Sequence, residues 1–240
     1  MARALWPLFL LLVACAPRPA ASGPVLLVPG GRIVGAWAEL DGGFPLPAPP
    51  LLADRREDRL YLAYPYELEV YENGEPVASV DLPGIPRFLH ARPAATAGGE
   101  EGLYAEGLGS FPYPAKDARV FEGAVYWLDA AGRPHRDQTS LEDAAFHAVV
   151  ADQKRLAFLG EEAWVLGGER FPLPAFLKAE LFGALYLLQE NGVLAYSLGG
   201  LLLAERRGRF SDLAVDEHGV WLLAEDGRLV HLDHDLEVLP

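Results

Sequence analysis

The chain contains one cysteine, Cys15, and the residues before it give that cysteine a chemical role. A basic residue, Arg3, precedes an apolar run from Leu5 to Val13, and the small residue Ala14 stands directly before the cysteine. A basic start, a short apolar run and a small residue at the cut are the parts of an export signal. Cleavage after Ala14 would make Cys15 the first residue of the exported chain, with its thiol free to accept a lipid.

The segment Leu12-Val13-Ala14-Cys15 resembles the lipobox of bacterial lipoproteins. The resemblance implies that Cys15 is lipidated and that the lipid holds the exported domain on the cell membrane or the outer membrane, facing the periplasm or the exterior. In lipoproteins an aspartate after the cysteine often signals retention in the inner membrane, so Ala16 in that position favours the outer membrane. An ordinary signal peptide, or an internal strand with a buried cysteine, is the alternative interpretation.

These features divide the chain into three parts. Residues 1–14 are the predicted signal peptide, residues 15–23 the lipidated N-terminus with its tether, and residues 24–240 a single domain. The apolar run is too short to span a bilayer, because a transmembrane helix needs about 20 apolar residues. The domain contains no cysteine, so it has no disulfide and must be stabilised by its core.

The formal net charge of −14 bears on the choice of partner. Nucleic-acid recognition needs basic patches, and the one dense basic group is Arg206, Arg207 and Arg209, with Glu205 beside it. We therefore exclude nucleic acid. The expected partners are the membrane, through the N-terminal lipid, and a protein or envelope component.

Motifs for catalysis are missing from the sequence. No Gly-x-Ser-x-Gly marks a serine nucleophile, and no glycine-rich segment leads to the Lys-Ser or Lys-Thr of a phosphate loop. The densest group of metal-ligand types is His231, Asp233, His234 and Asp235. Because His231 and His234 would face opposite sides of a strand, we interpret the group as a turn and assign neither a catalytic nor a metal site.

Five other ionisable residues lie in or beside short apolar segments: His90, His147, Lys178, Asp54 and Asp212. A polar side chain in such a place is either satisfied within the structure or faces a ligand. The architecture that positions these residues decides between the two roles.

A short strand with an aromatic or bulky residue among small apolar ones recurs along the chain. The copies are Leu60–Ala63, Leu103–Ala105, Val125–Leu128, Leu156–Leu159, Leu185–Leu188 and Val220–Leu223. Their mean spacing of about 32 residues indicates an array of similar units. The irregular early spacing is explained if residues 93–99 form an inserted loop.

Turn signals separate the repeated strands. Tight hairpins are predicted at Asn73-Gly74, Asn191-Gly192 and Asp226-Gly227. The pattern Phe-Pro-x-Pro-Ala begins at Phe44, Phe111 and Phe171. Proline cannot donate to a β-ladder, so this pattern predicts the crossings between units.

Helical periodicity is almost absent, which predicts an all-β chain. Units of three or four short strands close most naturally into a β-propeller, here of about six or seven short blades. The last unit, residues 212–233, resembles blades of bacterial NHL-type and sensor-type propellers, and residues 24–47 would be a degenerate first blade or a closing strand. A β-sandwich or an open β-solenoid is the alternative architecture.

The innermost strands of a propeller face a central channel. His90, His147, Lys178, Asp54 and Asp212 are therefore our ligand-channel candidates. Phe111 and Tyr113, in a proline-rich loop, are candidates for contact with a partner, because aromatic side chains dominate many interfaces.

These features favour an exported lipoprotein whose non-catalytic propeller binds a protein or an envelope ligand, with no cofactor besides the lipid on Cys15. A first alternative is a metal-dependent propeller hydrolase of the lactonase or glycosidase type, with a divalent metal in the channel. A second alternative is a sensor that binds a small molecule there.

Overall fold

A computed structural model describes residues 23–40 and 42–239. The strands β1 to β27 account for the regular structure of these residues, as expected of an all-β chain. No helix in the described ranges is long and apolar enough to cross a bilayer. The predicted signal peptide, Cys15 and residues 15–22 of the tether lie outside the described residues.

The strands form seven antiparallel sheets, each made from consecutive strands of the chain. Blade 1 contains β1 (Val25–Val28), β2 (Gly31–Val34), β3 (Trp37–Glu39) and β4 (Phe44–Pro45). Blade 2 contains β5 (Leu52–Arg56), β6 (Arg59–Tyr64), β7 (Glu67–Glu72) and β8 (Glu75–Asp81). Blade 3 contains β9 (Phe88–His90), β10 (Thr96–Gly99), β11 (Gly102–Ala105) and β12 (Gly109–Phe111).

The other four blades follow the same order. Blade 4 contains β13 (Asp117–Phe121), β14 (Ala124–Leu128), β15 (Pro134–Arg136) and β16 (Thr139–Ser140). Blade 5 contains β17 (Ala148–Ala151), β18 (Leu156–Leu159), β19 (Ala163–Leu166) and β20 (Glu169–Pro172). Blade 6 contains β21 (Lys178–Phe182), β22 (Ala184–Gln189), β23 (Gly192–Tyr196) and β24 (Leu202–Arg207), and blade 7 contains β25 (Phe210–Asp216), β26 (Gly219–Ala224) and β27 (Leu229–Leu232).

The first strand of each blade packs against the first strand of the next blade, and β1 packs against β25. The seven sheets therefore close into a seven-bladed β-propeller with these first strands around its axis. Residues 24–47 form a complete first blade, whereas the fourth position of blade 7 is filled only by a bridge between Leu232 and Val238.

The repeated aromatic strand has a structural explanation in five of its six copies. These copies form β6, β14, β18, β22 and β26, the second strand of their blades. A second strand has a strand on each side and a neighbouring blade on each face, so both faces of it are apolar. Leu62, Leu159 and Leu222 in these strands are fully buried.

The copy at Leu103–Ala105 forms the third strand of blade 3, and the second strand is β10. The prediction of an inserted loop over residues 93–99 is therefore wrong. This strand carries small residues because it packs closely: a Cβ on Gly98 would lie 2.5 Å from the Cβ of Leu103. A strand of threonine, alanine and glycine lacks the aromatic signal by which we recognised the others.

The predicted hairpin at Asn73-Gly74 and the three predicted crossings are confirmed. The hairpin predicted at Asn191-Gly192 turns one residue earlier, because Gly192 already pairs with Gln189 as the first residue of β23. Asn73 and Gly74, with φ of 51° and 81°, join β7 to β8 in the left-handed conformation of a tight hairpin. The three Phe-Pro patterns lie at the ends of β4, β12 and β20, where the chain crosses to the next blade.

All crossings lie on one face of the ring, which we call the top face. Because the strands of each blade alternate in direction, every innermost strand begins at this face and runs towards the opposite, bottom face. The strand β1 also begins there, so Gly23 and Pro24 lie at the top face.

Candidate functional site

The top face opens into a cavity of about 490 Å³ between blades 3 and 6. Most of its polar lining comes from the innermost strands and the crossings before them, and Glu161 comes from the turn between β18 and β19. The polar lining residues are His90, Lys116, Asp117, Arg119, His147, Glu161, Lys178 and Glu180. Phe88, Phe176 and Leu177 contribute to an apolar wall. We call this space the top cavity.

A second space of about 20 Å³, which we call the throat, lies deeper in the channel. Asp54 and Arg92 line the throat, and His90, Arg119 and Glu180 line both spaces. The last three residues therefore form the floor of the top cavity. The throat has room for about one water molecule.

Asp117 is the most highly connected carboxylate of the channel. Its Oδ1 lies 2.7 Å from Nε2 of His90 and accepts a hydrogen bond from the Ala118 N–H at 2.9 Å. Its Oδ2 accepts a hydrogen bond from the Val149 N–H at 2.9 Å, which joins blade 4 to blade 5. Burial alone would raise the pKa of this carboxyl, but His90, Arg119 and the hydrogen bonds hold its pKa below the usual value.

Asp54 joins two blades in the same way. Its Oδ1 accepts a hydrogen bond from the Arg55 N–H at 2.7 Å, and its Oδ2 accepts one from the Ala91 N–H at 2.6 Å. Ala91 directly follows β9, so the carboxylate ties blade 2 to blade 3. Asp54 and Asp117 thus satisfy backbone groups between innermost strands.

Lys178 pairs with Asp212, with 2.7 Å between Nζ and Oδ1. The pair joins blade 6 to blade 7. Burial acts to lower the pKa of Lys178, but the carboxylates of Asp212, Glu180 and Asp54 outweigh it, so the pKa lies above its usual value. The ammonium group therefore stays charged at neutral pH.

Arg92 closes the channel near its bottom end. Its Nη2 donates to the Arg55 carbonyl in blade 2 at 3.3 Å, and its guanidinium lies 5.8 Å from the ring centroid of Phe182 in blade 6. The Nη1 atom is buried and has no hydrogen-bond partner among the described residues. Arg92 comes from blade 3, so this side chain spans the channel.

The structure places all five channel candidates near the axis, and a ligand role for them stays a prediction. His90, His147 and Lys178 line the top cavity, Asp54 lines the throat, and Asp212 pairs with Lys178. His147 directly precedes β17 instead of lying within an inner strand.

Sequence reasoning missed Asp117, Arg119, Glu180 and Arg92. A signal for three of them was present, since Asp117-Ala118-Arg119 and Lys178-Ala179-Glu180 follow the same Phe-Pro-x-Pro-Ala pattern. Residues two apart on a strand face the same side, so both segments place a pair of charged side chains towards the channel.

Phe111 and Tyr113 are half-buried instead of exposed. Their rings stack with centroids 5.2 Å apart, and Tyr113 stacks in turn on Trp127 at 5.0 Å. They belong to the apolar cluster between blades 3 and 4. This packing explains their place in the sequence, and a partner contact through them stays a prediction.

The histidines near the C-terminus are engaged with aromatic rings. His231 stacks on Trp221 at 3.6 Å, and His234 stacks on Phe182 at 5.5 Å. Over residues 23–40 and 42–239, no group of three or more His, Cys, Asp and Glu side chains is arranged to hold a metal ion.

Comparison with known structures shows the class of protein that this fold defines. The chain is similar to BBS1N in its complex with ARL6DN, with a TM-score of 0.61 and 13% identity over 88% of this chain and 90% of that chain. It is similar to PorZ, an essential surface component of the type-IX secretion system of Porphyromonas gingivalis, with a TM-score of 0.64 and 11% identity. That match covers 90% of this chain and 38% of PorZ.

Virginiamycin B lyase from Staphylococcus aureus is also similar, with a TM-score of 0.53 and 9% identity over 77% of this chain and 84% of that chain. No protein-family model matches the sequence, and no curated protein matches it. Identities this low show the β-propeller fold alone, and a fold shared with both a complex-forming protein and a lyase does not define an activity.

Proposed function

We propose that this chain is an exported lipoprotein, anchored through a lipid on Cys15, whose propeller is a non-catalytic binding and scaffold module for a protein or envelope ligand. The observation that carries the proposal is the use of the channel's charged groups. Asp54 and Asp117 are occupied with backbone N–H groups of the next blade, and Lys178 is paired with Asp212. Charges engaged in this way stabilise the ring, which is the role of a scaffold.

The place where the chain enters the domain supports the anchoring role. Gly23 lies at the top face, beside the first residues of β1. A segment as long as residues 15–22 reaches at most about 28 Å. A lipid on Cys15 would therefore keep the domain close to the membrane.

The comparisons support a protein partner in general terms. BBS1N was solved in a complex with another protein, and PorZ is a component of a secretion system at a bacterial surface. The same fold can thus present a rigid surface to other macromolecules.

Lipidation is tested by expressing the tagged full chain in bacteria with labelled palmitate. We expect label and membrane association for the wild type, and loss of both in Cys15→Ser, which removes the acceptor thiol. Ser22→Ala, in the same segment, is the matched control and should keep both. An unlabelled wild type in the soluble fraction would contradict the anchoring proposal.

Metal analysis tests the non-catalytic assignment against the hydrolase alternative. We expect plasma mass spectrometry on the full chain, purified without chelator, to find no stoichiometric calcium or zinc, because Asp54, Asp117 and Asp212 already have protein partners. Stoichiometric metal that disappears in His90→Ala or His147→Ala would favour the hydrolase.

A further inference from the structure

We propose that the top cavity binds an uncharged, polyhydroxylated ligand, such as the end of a short glycan. The inference rests on the proposed binding function and names a ligand class for the module. Three features of the cavity carry it: its closed lower end, its balance of charge, and hydrogen-bonding groups that no protein partner uses.

The shape of the cavity limits how a ligand enters. Its volume of about 490 Å³ suits a small ligand, since such sites span about 300–1,000 Å³. The throat below it, spanned by Arg92, holds about 20 Å³. A ligand must therefore enter from the top face and end at the floor.

The charges around the cavity disfavour a strongly charged ligand, because Lys116, Arg119 and Lys178 line it together with Asp117, Glu161 and Glu180. Arg119 lies beside Asp117, and Lys178 lies beside Asp212 and within the field of Glu180. An anion attracted by the basic groups would be repelled by the neighbouring carboxylates. A cation attracted by the carboxylates would be repelled by the basic groups. Burying a net charge without compensation is costly, so a neutral polar ligand is favoured.

The floor offers both a donor and an acceptor to such a ligand. The side chain of Arg119 is 4% exposed, and its Nη1 makes long contacts of 3.4 Å to Asp117 and 3.3 Å to the Ala118 carbonyl. Its other N–H groups, and the carboxylate of Glu180, have no hydrogen-bond partner in the described part of the chain. A hydroxyl both donates and accepts, so neighbouring hydroxyls can accept from Arg119 and donate to Glu180.

The wall complements the other side of a sugar ring. Phe88 and Phe176 line the cavity, and Leu177, which is 63% exposed, stands at its rim. A pyranose carries C–H groups on its ring faces, and these can pack on aromatic and aliphatic side chains. The cavity thus combines a polar floor with an apolar wall.

The test uses the full chain in a mild detergent, first on a glycan array and then in calorimetric titrations with cellobiose, maltose, lactose and chitobiose. We expect at least one neutral glycan to bind and Glu180→Gln to weaken its binding by about tenfold, the value of one hydrogen bond to a charged group. The Glu180 side chain makes no hydrogen bond in the described structure, and its backbone keeps its place in the β21–β22 ladder, so this variant should fold. Glu190→Gln, an exposed acid in the same blade, is the matched control and should bind as the wild type does.

Two results would overturn the proposal. One is the absence of binding to every neutral glycan on the array and in solution. The other is binding of glucuronate or inorganic phosphate in the cavity with neutral sugars excluded, since the charge argument would then be wrong. Two other measurements test the proposed function without relying on glycan binding. They are palmitate labelling of Cys15 and the capture of an envelope protein by the Glu180→Gln variant. Neither would be affected by the two results above, so failure of the glycan proposal is distinguishable from failure of the proposed function.

Discussion

At the scale of single residues, the channel is stabilised by carboxylates that act between blades. Asp117 accepts hydrogen bonds from its own strand and from β17, and it lies against His90 of blade 3. One side chain thus links three consecutive blades at the axis. Removing an acceptor from such a buried group leaves several donors without partners, and that cost exceeds the value of one hydrogen bond.

We expect Asp117→Asn to lower the free energy of unfolding by about 2–4 kcal/mol, because the amide nitrogen would face N–H donors in a buried site. Urea unfolding followed by tryptophan fluorescence measures the change. Asp58→Asn, at an exposed position without a hydrogen-bond partner in the described residues, should change stability by less than about 0.5 kcal/mol. Equal effects of the two variants would contradict the role given to Asp117.

Stability should also fall at low pH. The pKa values of Asp117 and Glu106 lie below the usual value, and that of Asp129 is about 2. In each case burial acts to raise the pKa of the carboxyl, but neighbouring basic groups and hydrogen bonds lower it by more. A lowered carboxyl pKa contributes stability above the unfolded-state pKa of about 4, and this contribution is lost as the pH falls through the folded-state value.

The urea midpoint should therefore be steady near pH 6 and decrease from about pH 4 towards pH 2. Asp117→Asn should show a shallower decrease, since one of the three groups no longer titrates. A midpoint that stays constant down to pH 2 would show that these carboxylates do not stabilise the folded ring.

Several residues of the candidate site could be predicted from the sequence alone. His90, His147 and Lys178 could be placed near the channel because each is a polar residue in or beside an apolar strand. Arg92 could not, since it lies in a connection after β9 and reaches the axis only through the tertiary fold. No repeating hydrophobic pattern in the sequence marks a side chain that crosses a cavity from a loop.

At the scale of elements, the sequence predicts strands that bury large side chains and misses those that bury small ones. Aromatic and leucine-rich strands recur because a second strand is covered on both faces. The second strand of blade 3, β10, instead packs closely against β11, which leaves no room for large side chains. This strand therefore consists of small residues. Hydrophobicity alone cannot distinguish such a strand from a loop.

Close packing at β10 makes Gly98→Ala destabilising. The new Cβ would lie 2.5 Å from the Leu103 Cβ and 2.6 Å from the Gly102 carbonyl oxygen, so β11 would have to move. We expect a loss of about 1–3 kcal/mol in the free energy of unfolding. Gly199→Ala, where the nearest atom would be 3.9 Å away, is the control and should be nearly neutral in the same urea experiment. A neutral Gly98→Ala would show that blade 3 is less tightly packed than described.

At the scale of the whole molecule, the number of blades is decided at the two ends of the chain. Blade 1 lacks the aromatic motif and blade 7 has three strands with a short C-terminal bridge, which is why the period of the repeat left six and seven blades open. Both ends are needed for closure. Because each sheet is built from contiguous chain, no shared sheet joins the first blade to the last.

The seam between blades 1 and 7 is instead closed by packing. Leu27 of β1 lies with Ala214 and Leu223 in one apolar cluster, and Arg32 donates a hydrogen bond to the Gly227 carbonyl. A closed ring removes the exposed strand faces that an open array would leave at its ends. The stability of the ring therefore depends on a small number of side chains at this seam.

We expect Leu27→Ala to destabilise the protein by about 2–4 kcal/mol and to do so locally. Leu27 is 3% exposed, and truncation leaves a cavity where β1 meets β25. In hydrogen-exchange mass spectrometry, peptides covering β1, β2, β25 and β26 should exchange faster, while β13 and β14 on the far side stay protected. Leu159→Ala in blade 5 removes an equally buried leucine and should accelerate exchange around β17 and β18 instead. If Leu27→Ala accelerates exchange uniformly around the ring, the propeller opens as one cooperative unit and the seam is no weaker than the other blade interfaces.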